Sequence, residues 1–354
     1  MTKFNVDNIG HKEGYPLFLG KPLGILDTIN VQYPELEQLY QDQLAQLWNE
    51  FEVDLGQDKL DMMTVDKGNV DLMVKTLMWQ TVADSIASRS IIETLGEHIS
   101  NSEMMNLATV WSFFEVIHAR TYSHIIKQTF TDPNEILQEI YTNQEVMARS
   151  SKLITVFDAL ADSKDCSYEE VQDRIVQAIV ALFALEAVAF MSSFATTFAI
   201  VDTDKFQGIG KLVQLICRDE ILHARMGMTI IKILQKDDIW KGVLERNLLA
   251  IEDILDNLVD QEVKWSKYVF QDGRSVIGLN TELLTQYVYH MAYPVYTLLG
   301  ITAGFNPVVK NPLPYMDKYI DPSKMQTANM ELQNSSYLIG SIEDDTNDLD
   351  LSGF

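Results

Sequence analysis

The chain has 354 residues, of which 47% are hydrophobic and 22% are charged, and this balance is typical of a globular protein with a sizeable core. Its 51 acidic and 27 basic residues give a net charge of -24, which excludes nucleic-acid binding by general electrostatic attraction. Two cysteines, Cys166 and Cys217, allow at most one disulfide and the first residues carry no secretory signal, so we expect a reduced, cytoplasmic compartment, or the host cytoplasm for a viral protein.

Apolar residues recur at helical spacing along most of the chain, and no stretch alternates in the manner of a β-strand. We therefore predict an all-α fold with an N-terminal arm (1–33), a helical domain (34–303) and a flexible acidic C-terminal tail (304–354). In chain order, the predicted helices lie near residues 34–50, 67–95, 102–129, 133–160, 168–201, 205–235, 239–270 and 280–303.

The stretch from Ile175 to Ile200 has Glu186 as its only ionisable residue and is long enough to cross a bilayer. A carboxylate at the centre of a membrane span is costly, and no second segment of this kind occurs. We therefore predict that this helix is buried on all sides within a large helical bundle, with a membrane span as the alternative.

The pattern Glu-x-x-His occurs twice, as Glu115–His118 and as Glu220–His223. Residues three apart lie on one face of a helix, so each pair can bind a single metal ion. The first pair is followed one helical turn later by Tyr122, whose side chain is oxidisable. One Glu-x-x-His pair is a weak signal, because acidic helices produce the pattern by chance.

Two further carboxylates, Asp84 and Glu186, lie in apolar helical runs where neutral core residues are expected. A buried carboxylate needs a partner, and few cations lie nearby in these segments. Together with the two glutamates of the Glu-x-x-His pairs they carry four negative charges, which two divalent cations would balance. Oxygen and nitrogen ligands without a thiolate favour iron or manganese over structural zinc. The pattern therefore predicts a dinuclear site inside a four-helix bundle, whereas for each residue alone an ordinary core role is the alternative.

Four segments resemble the ligand segments of the radical-generating small (beta) subunit of class I ribonucleotide reductase: WQTVADSIASRS, FFEVIHARTYSHI, ALEAVAF and RDEILHA. The turn at 270–273, the stretch NPLPYMDKYI and the stretch SSYLIG are also similar to this family, so the resemblance extends from about Pro16 to the end of the chain. It implies a ferritin-like helical bundle with a four-helix dimetal core and additional flanking helices.

The resemblance also implies roles for individual residues around the metals. The implied ligands are Asp84, Glu115 and His118 for one ion and Glu186, Glu220 and His223 for the other. Glu115 and Glu220 are expected to bridge the ions. Tyr122 matches the radical-bearing tyrosine, with an ordinary core tyrosine as the alternative. An apolar pocket that shields the radical is expected from Phe190, Phe194 and Ile216.

A path for radical transfer to the partner subunit is implied as well. Trp48 matches the tryptophan on that path, and Asp219 matches the carboxylate that links it to a metal-bound histidine, here His118. Tyr337 matches the relay tyrosine of the tail, and Glu331 a nearby acid. Simple packing is the alternative for Trp48, and a role in docking alone is the alternative for Tyr337.

The implied activity is that of an oxidoreductase, a thioredoxin- or glutaredoxin-dependent ribonucleoside-diphosphate reductase. Two iron ions, with manganese or a mixed pair as alternatives, would use dioxygen as oxidant to generate a stable tyrosyl radical. The radical passes to the large catalytic subunit, docked through the C-terminal tail, for reduction of ribonucleotides to deoxyribonucleotides, and a homodimer is expected. The alternatives are another di-iron carboxylate oxygenase, a ferritin-like protein, or a structural bundle without metal.

Overall fold

The computed structural model describes residues 4–320, which contain no β-strand and only two isolated bridges. The α-helices are α1 (Gly10–Glu13), α2 (Pro34–Leu44), α3 (Gly56–Thr64), α4 (Lys67–Arg89), α5 (Ser102–Thr129), α6 (Pro133–Thr142), α7 (Gln144–Ala161), α8 (Tyr168–Ala184), α9 (Met191–Val201), α10 (Gln207–Lys236), α11 (Asp238–Arg246), α12 (Leu248–Val269), α13 (Thr281–Leu299) and α14 (Asp317–Ile320). The shorter helical turns are the π-helical turns Ser90–Leu95 and Leu185–Phe190 and the 3₁₀ turns Gly96–His98 and Pro314–Met316.

The predicted all-α fold is confirmed for the described residues, and the predicted helices are found close to their expected bounds. Two of them are each divided into a pair of helices. The stretch 133–160 breaks at Asn143, whose side chain accepts hydrogen bonds from the first backbone N–H groups of α7. The stretch 239–270 breaks at Asn247, between α11 and α12.

The helix α3 was not predicted from the sequence, and it organises the start of a core helix. Asp58 of α3 accepts hydrogen bonds from the backbone N–H groups of Ile209 at 2.8 Å and Gly208 at 3.2 Å. Asp61 accepts one from Phe206 at 2.8 Å. These backbone N–H groups at the start of α10 have no partner within the helix, so α3 caps α10 from a distant part of the chain.

Four helical elements carry the predicted ligands and contribute to the hydrophobic core: α4, α5, α10 and the long helical stretch formed by α8, the π-helical turn Leu185–Phe190 and α9. Asp66 caps α4 and Asn101 caps α5, each accepting a hydrogen bond from the backbone N–H three residues later. These caps set where each helix begins. They therefore help to set which residues of α4 and α5 face the centre of the bundle.

The described residues contain one continuous helical stretch that is long and apolar enough to cross a membrane. It is Tyr168–Val201, which comprises α8, the π-helical turn and α9. Its apolar window is 89% buried inside the structure. The expected core helix is therefore confirmed.

The last described residues pack against the helical bundle. Leu313 and Met316 are buried, and the Tyr315 hydroxyl donates to the carbonyl oxygen of Ala195 at 2.7 Å. Residues 304–320, which the sequence analysis assigned to the tail, thus include a segment that packs against α9. The remainder of the predicted tail, 321–354, lies outside the described residues.

Candidate metal centre

Four elements bring the six predicted ligands into the core. Their side chains are all fully buried. Asp84 comes from α4, Glu115 and His118 from α5, Glu186 from the π-helical turn, and Glu220 and His223 from α10. On α5 and α10, the three-residue spacing of Glu-x-x-His directs both side chains of each pair to the same side of the helix.

Each of the two glutamates in these pairs contacts both histidines. Oε1 of Glu115 lies 2.8 Å from Nδ1 of His223, and its Oε2 lies 3.5 Å from Nδ1 of His118. Oε2 of Glu220 lies 2.8 Å from Nδ1 of His223, and its Oε1 lies 3.0 Å from Nδ1 of His118. The ligand atoms of these four residues all lie within 4.8 Å of one another. Each carboxylate spans the two imidazoles, as a carboxylate that bridges two metal ions must.

Asp84 and Glu186 lie outside this tight set of four but belong to the same electrostatic environment. Burial, followed by the charges of Glu220 and Glu115, raises the pKa of each well above its usual range. All four of their carboxyl oxygens are buried without a hydrogen-bond partner. Carboxylates buried in this way are strongly unfavourable unless a cation accompanies them.

The same crowding of carboxylates also raises the pKa values of the two histidines. Burial opposes protonation, but the nearby carboxylates of Glu115 and Glu220 outweigh it and raise the pKa of His223 to about 9. The pKa of His118 is raised well above its usual range by Glu220, Asp219 and Glu115, again against the effect of burial. Without metal, protonated imidazoles are therefore the counter-charges of this cluster.

The residues fit a pair of divalent cations. Besides the oxygens of Asp84 and Glu186, the buried atoms without a hydrogen-bond partner include Oε2 of Glu115, Oε1 of Glu220 and Nδ1 of His118. Oxygen and imidazole nitrogen donors of this kind suit first-row transition metals such as iron and manganese. Two divalent ions would compensate the four carboxylates and return both imidazoles to their neutral form.

Tyr122 lies on α5 one turn after His118 and is fully buried. Its hydroxyl has no hydrogen-bond partner. Burial, followed by the charges of Asp84 and Glu220, raises the pKa of the phenol well above its usual range. The predicted shielding residues Phe190, Phe194 and Ile216 are fully buried in the same core.

A hydrogen-bonded chain leads from the cluster towards α2. The Nε2 atom of His118 lies 3.2 Å from Oδ2 of Asp219, and the same oxygen accepts a hydrogen bond from Nε1 of Trp48 at 2.6 Å. Arg218 contacts the other carboxylate oxygen of Asp219 at 3.2 Å. The structure therefore brings Trp48, Asp219 and His118 together. Tyr337 and Glu331, the predicted tail residues, lie outside the described residues.

Two contacts of the site were not predicted from the sequence. Trp111 donates a hydrogen bond from Nε1 to Oε1 of Glu115 at 3.0 Å, and Arg218 holds Asp219. Trp111 lies four residues before Glu115 on α5, so helical spacing could have identified it. Arg218 directly precedes Asp219 in the sequence, but nothing in the local pattern predicts that their side chains meet.

Comparison with known proteins shows which family this chain resembles. The model of the family described as "Ribonucleotide reductase, small chain" matches residues 26–312. The ribonucleoside-diphosphate reductase subunit beta of Buchnera aphidicola subsp. Baizongia pistaciae is 30% identical over 360 residues, covering 96% of this chain and 95% of that protein.

Solved structures support the same assignment at the level of the fold. The ribonucleotide reductase R2 subunit from Clostridium botulinum has a TM-score of 0.79 at 19% identity, covering 90% of this chain and 98% of that one. The dimanganese(II) NrdF protein of Streptococcus sanguinis has a TM-score of 0.66 at 19% identity, covering 82% and 96%. The chain therefore belongs to the ribonucleotide reductase small-chain family.

Proposed function

We propose that this chain, as the radical-generating small subunit of a class I ribonucleotide reductase, forms its radical on Tyr122. In this proposal six residues hold two metal ions: Asp84, Glu115, His118, Glu186, Glu220 and His223. The radical equivalent then leaves through Asp219 and Trp48 and continues through Tyr337 to the large subunit. That subunit uses it to reduce ribonucleotides to deoxyribonucleotides.

The observation that carries this proposal is the crossed set of contacts between the two glutamates and the two histidines. A structural bundle gains nothing from four buried carboxylates of which six of the eight oxygens lack a hydrogen-bond partner. Metal ions at this position would satisfy the carboxylates and both imidazoles together. The contacts of Glu115 and Glu220 with both histidines support a bridging role for these two carboxylates.

The protein residues contribute geometry, exclusion of water and control of protons, while the bound metals supply the oxidising power when dioxygen reacts with them. The surroundings of Tyr122 support a long-lived radical, because full burial keeps water and reductants from the phenol oxygen. Asp219 orients His118 through its Nε2 atom and can take the indole proton of Trp48. Trp48 and Asp219 thus form a link at which an electron and a proton can move together.

We propose iron as the metal, with manganese or a mixed pair as the alternatives. The ligand set is rich in oxygen donors and suits either element. The Streptococcus sanguinis structure is that of a dimanganese(II) protein. Elemental analysis of the chain purified from its own cellular context distinguishes these alternatives directly.

Membership of the family implies a large-subunit partner. We propose that the chain docks to it through the C-terminal tail, where five acidic residues and the apolar residues Leu349, Leu351 and Phe354 follow Ile342. We also propose a cytoplasmic homodimer, the host cytoplasm if the protein is viral. Exposed Phe113 and Val116 on the outer face of α5 are candidates for the dimer surface.

Metal counting tests the proposed ligand set. We expect the metal-free chain to bind two Mn²⁺ ions in the buried site, and we expect Glu115→Gln or Glu220→Gln to abolish tight binding of both ions because each glutamate bridges them. Asp84→Asn should weaken the binding of one ion selectively. Glu103→Gln is a matched control, because Glu103 is a buried glutamate on the same helix as Glu115 and accepts a hydrogen bond from the backbone N–H of Gln32, which a glutamine oxygen can also accept. Unchanged stoichiometry in both bridging variants would refute the ligand assignment.

A further inference from the structure

A row of aromatic side chains leads from the π-helical turn that carries Glu186 to the partly exposed Tyr268. Phe190 follows Glu186 by four residues, and its ring centroid lies 5.3 Å from that of Trp79. At the other end of the row, Trp265 and Tyr268 have ring centroids 5.3 Å apart. Tryptophan and tyrosine rings are oxidisable and exchange electrons readily over short distances, so Trp79, Trp265 and Tyr268 could supply electrons to an oxidised metal centre and compete with Tyr122.

A single buried cation separates the two tryptophans of this row. The guanidinium carbon of Arg149 lies 3.4 Å from the ring centroid of Trp79 and 4.6 Å from that of Trp265. The guanidinium group remains charged at any ordinary pH. A positive charge against the face of an indole stabilises its electrons, so removing one from either ring becomes harder.

The ion pair is formed along one edge of the guanidinium group. Glu262 accepts two hydrogen bonds, from Nε and Nη2 of Arg149, both at 2.6 Å. The guanidinium carbon itself lies over both indole rings. The Nη2 atom also donates to the carbonyl oxygen of Ala189 at 3.1 Å, which anchors the cation to the π-helical turn.

Neither tryptophan has an acceptor for its indole proton. Nε1 of Trp79 and Nε1 of Trp265 are buried without a hydrogen-bond partner. Trp48 differs, because its Nε1 donates to Asp219 at 2.6 Å and that carboxylate can accept the proton as the electron leaves. Oxidation of Trp79 or Trp265 would instead leave a second positive charge beside the guanidinium.

We propose that Arg149 determines where the oxidising equivalent goes, acting as an electrostatic barrier that closes the route through Trp79, Trp265 and Tyr268. This inference rests on the proposed function, in which the radical forms on Tyr122. With the barrier removed, Trp79 gives one electron to the oxidised metal centre and regains one from Trp265. Trp265 in turn regains one from Tyr268, whose phenolic proton passes to water. The net result is one electron added to the metal centre and a misplaced radical on Tyr268.

The test uses a variant without either charge, Arg149→Met combined with Glu262→Gln, which avoids leaving one charge buried alone. After anaerobic loading with ferrous ions and exposure to air, we expect its Tyr122 radical yield per bound metal to fall by about twofold or more. Peptide mapping by mass spectrometry should show oxidised Trp79, Trp265 or Tyr268. Adding Trp79→Phe to this variant should restore the yield on Tyr122, because it removes the first electron donor of the row.

Arg149→Lys is the matched control, because it keeps the positive charge and the pairing with Glu262. It should retain the wild-type radical yield, and a loss equal to that of the charge-free variant would overturn the barrier in favour of packing. An unchanged yield without oxidised aromatic residues in the charge-free variant would also overturn it. Arg149→Gln combined with Glu262→Gln, a neutral pair in which an amide donor and an amide acceptor remain, carries the test if the first charge-free variant does not fold. A wild-type protein without any Tyr122 radical would instead refute the proposed function and this inference together.

Discussion

At the scale of single residues, the candidate ligands could be predicted because each departs from its local pattern. Asp84 and Glu186 occupy apolar helical runs, and the Glu-x-x-His pairs place two donors on one helix face. The structure gathers these side chains into one buried cluster. Hydrophobic patterning predicts burial, and a carboxylate at a buried position requires a compensating partner.

The ion pair between Arg149 and Glu262 could not be predicted in the same way. These residues lie 113 positions apart, and in the sequence each resembles an ordinary solvent-facing charge on an amphipathic helix. Only the packing of α7 against α12 brings them together. The position of the guanidinium over both Trp79 and Trp265 depends on the same tertiary arrangement.

The raised pKa values of the two histidines predict that metal binding releases protons. In the metal-free protein His223 has a pKa of about 9, so it is protonated at pH 7, and a metal ion binds only the neutral imidazole. We expect about two or more protons to be released when both sites fill at pH 7, and we expect the metal affinity to fall as the pH is lowered. Calorimetric titration with Mn²⁺ in two buffers of different ionisation enthalpy gives the proton count.

The sign of the accompanying stability change follows from the same pKa. Because the folded pKa of His223 lies above its unfolded value, protonation stabilises the metal-free fold at pH values below about 6.5, and this contribution is lost as the pH rises through about 9. Binding without any proton release would contradict the placement of His223 among carboxylates.

At the scale of helices, the sequence predicts that a helix is present wherever the apolar pattern is long. The helices and turns that were not predicted have physical reasons. The helix α3 is short and rich in polar residues, and two of its acidic side chains serve the start of α10 rather than an apolar face. The π-helical turn Leu185–Phe190 has the composition of the α-helices around it, so the sequence does not distinguish it. Such turns are common at functional sites, and this one carries Glu186.

The cap at the start of α5 allows a quantitative prediction of its contribution to stability. Asn101 accepts a hydrogen bond from the backbone N–H of Met104 at 2.8 Å, and its Nδ2 donates to the carbonyl oxygen of Tyr15 at 3.3 Å. Asn101→Ala removes both and should lower the free energy of unfolding by about 1–2 kcal/mol. Urea denaturation followed by circular dichroism measures the change.

Asp66→Ala is the matched control for this cap. Asp66 also caps a core helix, but it is exposed and its side chain accepts hydrogen bonds from Asn69 on its own helix. Asp66→Ala should lower the free energy of unfolding by about 1 kcal/mol, which is less than the effect of Asn101→Ala. An equal or larger effect at Asp66 would show that the link from Asn101 to the N-terminal arm contributes nothing.

At the scale of the whole molecule, the chain combines a buried metal centre with an acidic tail that follows the packed segment ending at 320. We predict that deleting the residues after Ile342 abolishes binding to the large subunit and leaves the Tyr122 radical intact, because the deleted residues are remote in sequence from every proposed ligand. Surface plasmon resonance against the large subunit, with the tyrosyl signal recorded in parallel, measures both properties.

Two variants separate the contributions of charge and apolar contact in this tail. Leu351→Ala with Phe354→Ala removes apolar anchors and should weaken binding strongly. Asp348→Asn with Asp350→Asn removes two charges, keeps the apolar residues, and should mainly increase the salt tolerance of binding. Full binding by the chain that ends at Ile342 would refute docking through this segment.

The most direct test of the central claim is the electron paramagnetic resonance spectrum after anaerobic loading with ferrous ions and exposure to air. We predict a tyrosyl signal in the wild type and in Tyr287→Phe, and its loss in Tyr122→Phe at unchanged metal content. Tyr287 is the matched control, because it is also a fully buried tyrosine whose hydroxyl lacks a partner. Two bound metals without any tyrosyl signal in the wild type, or a signal that persists in Tyr122→Phe, would contradict radical formation at Tyr122.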